Sequence, residues 1–144
     1  LGYVLKFPEE DRYLMTQQEL MNRISGLLAG RAAEELVFSE ITTGAKDDLD
    51  KATHIARQMV CDYGMSSLGP MAIDDIYIKY NYDILRAEIK KILDRCYNRS
   101  LEILSENIKI LHHIANILME HENIDSGELD KIFKLYEKPM DYAT

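Results

Sequence analysis

A basic surplus is missing from this sequence. Its 144 residues carry 17 lysines and arginines against 25 aspartates and glutamates, a net charge of -8. Such a surface repels phosphate backbones, which excludes nucleic acid as the expected partner. Cysteine is scarce as well: Cys61 and Cys96 stand alone in helical patterns and read as reduced core thiols, not as a disulfide framework. No apolar run approaches the roughly 20 residues that a membrane span requires, and no signal peptide is visible. Repeats and low-complexity tracts are absent. Missing too are a His-Glu-x-x-His zinc motif, a glycine-rich phosphate loop with lysine, and any serine or cysteine with a local partner that marks a nucleophile. What remains is globular composition, 47% hydrophobic and 29% charged, with enough apolar side chains for one core and a length that suits one domain, 1–144. The chain opens at Leu1 on a strand-like run and reads as a piece of something longer.

The pattern that is present is mainly α. Leu1 to Phe7 alternates loosely and ends at Pro8, which predicts a short edge strand. Thr16-Gln17-Gln18-Glu19 is a capping box that opens a helix running to about Leu36, with Leu20, Ile24, Leu27 and Leu28 at helical spacing. Gly26 and Gly30 inside that helix imply close approach of a neighbouring helix. A second helix is predicted from about Asp47 to Gly64, with Gly64 as its terminating glycine. Residues 71–81 fit either a strand or an irregular connection. Helices follow from about Tyr82 to Ser105, from Glu106 or Asn107 to Glu122, and from a cap at Asp125. The expected fold is a helix bundle with one or two short edge strands, divided into residues 1–70 and C-terminal helices at 82–138.

The paired acids Asp47-Asp48 raise a question of direction. A helix turns about 100° per residue, so Ala52, Ile55 and Met59 lie within about 40° of Asp48. Asp47 falls about 100° away, with Lys51, His54 and Gln58. The periodicity sends Asp48 to the packed side and Asp47 to solvent, where it favours the positive end of the helix dipole. A carboxylate on a packed face needs an arginine, several N–H groups or a metal. Capping, an ion pair with Arg31 and metal ligation all remain open at this point.

The preceding helix is unusual in the same way. Its apolar stripe continues into Arg31, Glu34 and Glu35, either an internal ion-pair cluster or a polar site at the helix end. The four histidines offer no metal cluster: His54 falls on a polar face, His112 and His113 are adjacent and therefore diverge, and His121 lies two turns on. The chain by itself contains no complete catalytic apparatus.

Several runs agree in order with one known family. They are Phe7-Pro8-Glu9-Glu10-Asp11-Arg12-Tyr13, Gly30-Arg31-Ala32-Ala33-Glu34-Glu35-Leu36 and Thr42-Thr43-Gly44-Ala45-Lys46-Asp47-Asp48-Leu49. Ala56-Arg57-Gln58-Met59-Val60 and Tyr63-Gly64-Met65-Ser66 follow. Over residues 1–70 the chain resembles the protease domain of FtsH-type AAA+ zinc metalloproteases, and more loosely beyond. The resemblance implies a membrane-anchored hexamer whose ATPase ring, fuelled by ATP, threads protein substrates into a helical protease ring. It implies zinc held by two histidines of a His-Glu-x-x-His helix and by a later aspartate, with the motif's glutamate as general base. That aspartate falls on Asp48, and Glu34 resembles a group that orients a ligand histidine.

The His-Glu-x-x-His helix, which the resemblance places ahead of the opening strand and against the small residues around Gly30, does not occur in this chain. Neither do the ATPase module and membrane segments. The resemblance thus implies one zinc ligand here, no catalytic residue, and a soluble piece of a parent anchored with its protease domain in the cytoplasm, or in matrix or stroma if organellar. The alternative is a non-catalytic helical assembly module of the same descent. A His-Glu-x-x-His motif and a P-loop upstream in the parent gene distinguish the two.

Overall fold

A computed structural model describes residues 14–136. The first helix opens on a complete cap. The Thr16 hydroxyl accepts the Glu19 N–H at 3.1 Å, and the Glu19 carboxylate accepts the Thr16 N–H at 3.3 Å. Helix α1 then runs Gln17–Phe38 and buries Leu20, Ile24, Leu28 and Ala32, one residue per turn along a single stripe. Ser39 ends it in the left-handed region, at φ 54°.

A single 3-10 turn, Thr43–Ala45, leads directly into α2, Lys46–Cys61. Helix α2 buries Ala52, Ala56, Met59, Val60 and Cys61. It ends a little before Gly64, whose φ of 63° turns the chain back. A Cβ at Gly64 would lie 3.0 Å from the Pro70 Cα and 3.2 Å from the Gly69 carbonyl oxygen, so this return has room only for glycine. Helix α3 spans Asp75–Tyr80, α4 Tyr82–Glu106, α5 Ile108–His121 and α6 Ser126–Leu135.

Helix α4 lies along α1, and α2 packs against both. Their shared core comprises Leu20, Ile24, Leu28, Ala52, Ala56, Met59, Val60, Cys61, Leu85, Ile92 and Cys96. Both thiols are free and buried, and burial pushes each above its ordinary value. The Ser100 hydroxyl donates to the Ser25 carbonyl at 2.6 Å, tying α4 to α1.

The architecture is the expected helix bundle, with one correction, at residues 71–81. Among the described residues there is no strand, and the edge strand expected at 1–7 lies outside them. Residues 71–81, read as a strand or an irregular link, contain α3. Asp74 caps it by accepting the Tyr77 N–H at 2.8 Å, and Ile73, Tyr77 and Ile78 reach the core at helical, not alternating, spacing. The helix approach expected at Gly26 and Gly30 is made by no described residue, and the helix that the resemblance places there does not occur in this chain. Both are exposed, and a Cβ at either would meet nothing within 4 Å. The helices meet instead at fully buried alanines, Ala32, Ala52 and Ala56.

Candidate functional site

The junction between α1 and α2 gathers the acids that periodicity singled out. Residues 39–44 are all exposed, so little packing holds this link. Glu34, one turn before the end of α1, holds it by hydrogen bonds. Its Oε2 accepts the Thr42 N–H at 2.9 Å and its Oε1 accepts the Thr42 hydroxyl at 2.9 Å. The Thr42 oxygen in turn accepts the Gly44 N–H at 3.2 Å and caps the 3-10 turn. The Thr42 amide, then its hydroxyl, holds the Glu34 carboxyl below its ordinary range, with a smaller contribution from Arg31.

Asp48 is the third residue of α2. It is half-buried, whereas Asp47 beside it is exposed, the asymmetry that helical phase predicts. Its open alternatives can now be sorted. The residue at the cap position is Ala45, which offers no side-chain bond. Asp48 forms no hydrogen bond to that helix start and no ion pair with Arg31 among the described residues. Its carboxylate stands in the first turn, where the helix dipole favours negative charge, with its lone pairs unengaged by described residues.

The second acidic feature, Arg31 with Glu34 or Glu35, is not an ion-pair cluster. Glu34 turns to Thr42, while Glu35 accepts a hydrogen bond from the Tyr97 hydroxyl of α4. Burial raises the Tyr97 pKa, and the neighbouring Glu35 carboxylate raises it further. The two glutamates therefore leave α1 in different directions: one fixes the link to α2, the other fixes α4.

Among the described residues, no group of three His, Cys, Asp or Glu side chains could hold a metal ion. A zinc site requires three or four such donors, so Asp48 fits as one ligand of a site and not as a site. The histidines lie elsewhere. His54, His112 and His121 are exposed, and His113 Nδ1 lies 3.1 Å from the Tyr136 hydroxyl between α5 and α6. A cavity of about 770 Å3 opens at the far end of α1, between Thr16, Met21, Ser25, Cys96 and Arg99. It is remote from Asp48.

Sequence reasoning missed Glu88 and Ser100, the buried polar residues of α4. Glu88 accepts from Lys91 Nζ at 2.7 Å, and Ser67 of the loop after α2 lies near enough to favour its charged form. Lys91 first, then Ser67, holds its carboxyl below the ordinary range. The signal was available: Leu85, Glu88, Ile92, Cys96 and Ser100 form one stripe at steps of three and four. Its two polar members had to be either exposed by a kink or buried with partners.

The sequence model of peptidase family M41 matches residues 1–132. ATP-dependent zinc metalloprotease FtsH 2 of Thermoanaerobacter sp. (strain X514) is 48% identical over 134 residues, which cover 93% of this chain and 26% of that protein. ATP-dependent zinc metalloprotease FtsH of Thermotoga maritima is 43% identical over 148 residues, covering 92% of this chain and 24% of that protein. FtsH of Endomicrobium trichonymphae is 41% identical over 150 residues, covering 93% and 24%. The chain thus spans about a quarter of the length of the curated relatives it matches.

Proposed function

The chain belongs to peptidase family M41, and from that premise we propose that it is the Asp48-bearing part of an ATP-dependent zinc metalloendopeptidase of FtsH type. The observation that carries the reading is the half-buried Asp48 carboxylate, presented in the first turn of α2 with no competing partner among the described residues. The relatives' names support zinc, ATP and proteolysis. Bound zinc in such an enzyme supplies a Lewis acid and a water activated for attack on a peptide carbonyl. Asp48 contributes one ligand oxygen. Two histidines and a general-base glutamate come from a His-Glu-x-x-His helix that this chain does not contain, packed against the exposed Gly26 and Gly30 face of α1.

The complete protein, on this reading, is a hexameric ring in which an ATPase module delivers unfolded, misassembled or regulatory proteins to the protease chamber. Its membrane anchor lies in other segments, with the protease domain facing the cytoplasm, or the matrix or stroma in an organelle. No helix among the described residues is long and apolar enough to cross a membrane.

The test is Asp48→Ala in the complete parent protein. Zinc content is expected to fall well below one ion per chain and degradation of an unfolded protein to stop, while ATP hydrolysis continues. Retained zinc-dependent proteolysis would sink the ligand assignment. The 144-residue chain by itself is expected to show neither stoichiometric zinc binding nor peptidase activity, since one carboxylate is not a competent zinc site.

A further inference from the structure

We infer that Glu34 and Thr42 form a clamp that positions Asp48, so that Glu34 acts on the metal site through the link and Thr42 is a positioning residue. The inference rests on the reading of Asp48 as a metal ligand. Its argument begins with the direction of the protons. An ionised carboxylate only accepts, so the Thr42 hydroxyl must give its proton to Glu34. That leaves a lone pair of the same oxygen for the Gly44 N–H, which completes an oriented chain from α1 through Thr42 into the 3-10 turn. Thr42 spends both of its donors on one side chain, and a two-point attachment fixes orientation as well as distance.

The clamp is also tight. A Cβ on Gly44 would lie 3.3 Å from Thr42 Oγ1 and 4.0 Å from Glu34 Oε1. From Gly44 the chain passes without a break into α2: the Lys46 N–H, on the first residue of that helix, bonds the Thr43 carbonyl. Only Ala45 is buried between α1 and Asp48. Because α2 has no side-chain cap of its own, the bonds anchored on Glu34 set where its first turn stands. A ligand held to within a few tenths of an ångström needs such support. Both Glu34 oxygens already serve Thr42, which makes the link their principal client.

The experiment compares Glu34→Gln, Thr42→Val, the double variant and Thr42→Ser in the complete parent protein. It measures zinc affinity by chelator competition, and amide exchange across residues 40–46 in the zinc-free protein. Glu34→Gln and Thr42→Val are each expected to weaken zinc about 10- to 100-fold. The double variant is expected to lose no more than the larger single loss, because both break one unit. Thr42→Ser, which keeps the hydroxyl, is expected to stay near wild type. Exchange of the Thr42 and Gly44 amides is expected to accelerate in the first three variants. Thr42 is exposed and Glu34 only half-buried, and exchange protection retained across α1 and α4 verifies that each variant keeps the fold.

If Thr42→Val leaves zinc affinity unchanged while Glu34→Gln weakens it, Glu34 acts on the metal site directly and the inference fails. Faster exchange with unchanged zinc affinity in both variants also overturns it, since the clamp then exists without positioning Asp48. Should Asp48→Ala itself retain zinc, the ligand reading fails and takes the inference with it, whatever the exchange shows.

Discussion

Helices α1, α2 and α4 differ from α5 and α6 in a way that their compositions do not announce. The first three bury a continuous stripe each, apolar but for Glu88 and Ser100 of α4, and Ile24, Ala52, Ala56 and Met59 have no exposed surface. Helix α5 is richly apolar, with Ile108, Ile110, Leu111, Ile114, Ile117, Leu118 and Met119, and yet none of its residues is buried. Helix α6 buries only Ile132. The difference is one of partners. Each of the three core helices packs on the other two, whereas α5 rests on the ends of α1 and α4 and on a short α6. Apolar composition makes burial favourable, but only neighbours on several sides complete it. The acids of the α1–α2 junction, Glu34 and Asp48, belong to the fully supported trio.

That contrast can be broken from its strong side first. Ile24→Ala removes a side chain with no exposed surface at the centre of α1. It is expected to cost about 2–5 kcal/mol of stability, by lost burial and the cavity left behind, read as a drop in the denaturant midpoint. A cost below about 1 kcal/mol would mean that the trio collapses onto gaps as loosely as α5 packs.

Next in size is Glu88, whose buried carboxylate joins α4 to the loop after α2. Its folded pKa lies below the ordinary value because Lys91 and Ser67 favour the charged form. The unfolded chain therefore takes up a proton at a higher pH than the folded chain. The stabilisation is complete above the ordinary carboxylate range and is lost as pH falls through the depressed pKa. Glu88→Gln is expected to lose about 1.5–3 kcal/mol at neutral pH, the usual worth of hydrogen bonds to a charged group. It should also flatten the acid limb of the stability curve. An acid limb that keeps its slope in Glu88→Gln would assign that slope to other carboxylates. Ser100→Ala breaks the bond to the Ser25 carbonyl and is expected to cost about 0.5–1.5 kcal/mol. Its readout is thermal unfolding.

How much of this was legible beforehand follows the range of the interactions. The Thr16–Glu19 box and the Asp125 cap, whose carboxylate accepts the Glu128 N–H at 2.8 Å, are four-residue motifs legible in the sequence. The sidedness of Asp47 and Asp48 needs only helical phase, and it matches their exposure. The partner of Glu34 was not legible. Thr42 is eight residues on, across a turn whose path depends on the left-handed Ser39, and no periodicity crosses a turn. Tyr97, whose hydroxyl donates to Glu35, is 62 residues away and is placed by the packing of α4 on α1. Gly26 and Gly30 stay open for a related reason. A small residue permits close approach but does not say whether a described neighbour makes it.

The weakest side of the comparison supplies the last test. Met119 on α5 is 72% exposed. Its replacement by alanine removes little buried area and slightly favours the helix, because alanine has the higher propensity. The expected change is within about 0.5 kcal/mol. The measurement is a denaturant midpoint at two protein concentrations tenfold apart. A loss above about 1 kcal/mol at both concentrations would place Met119 inside a packed core and erase the difference between the two regions. A loss that appears only at the higher concentration would mean that association covers this face, since stability borrowed from a partner scales with its concentration. No change at either concentration leaves the contrast standing: α5 carries apolar side chains without the neighbours that turn them into a core.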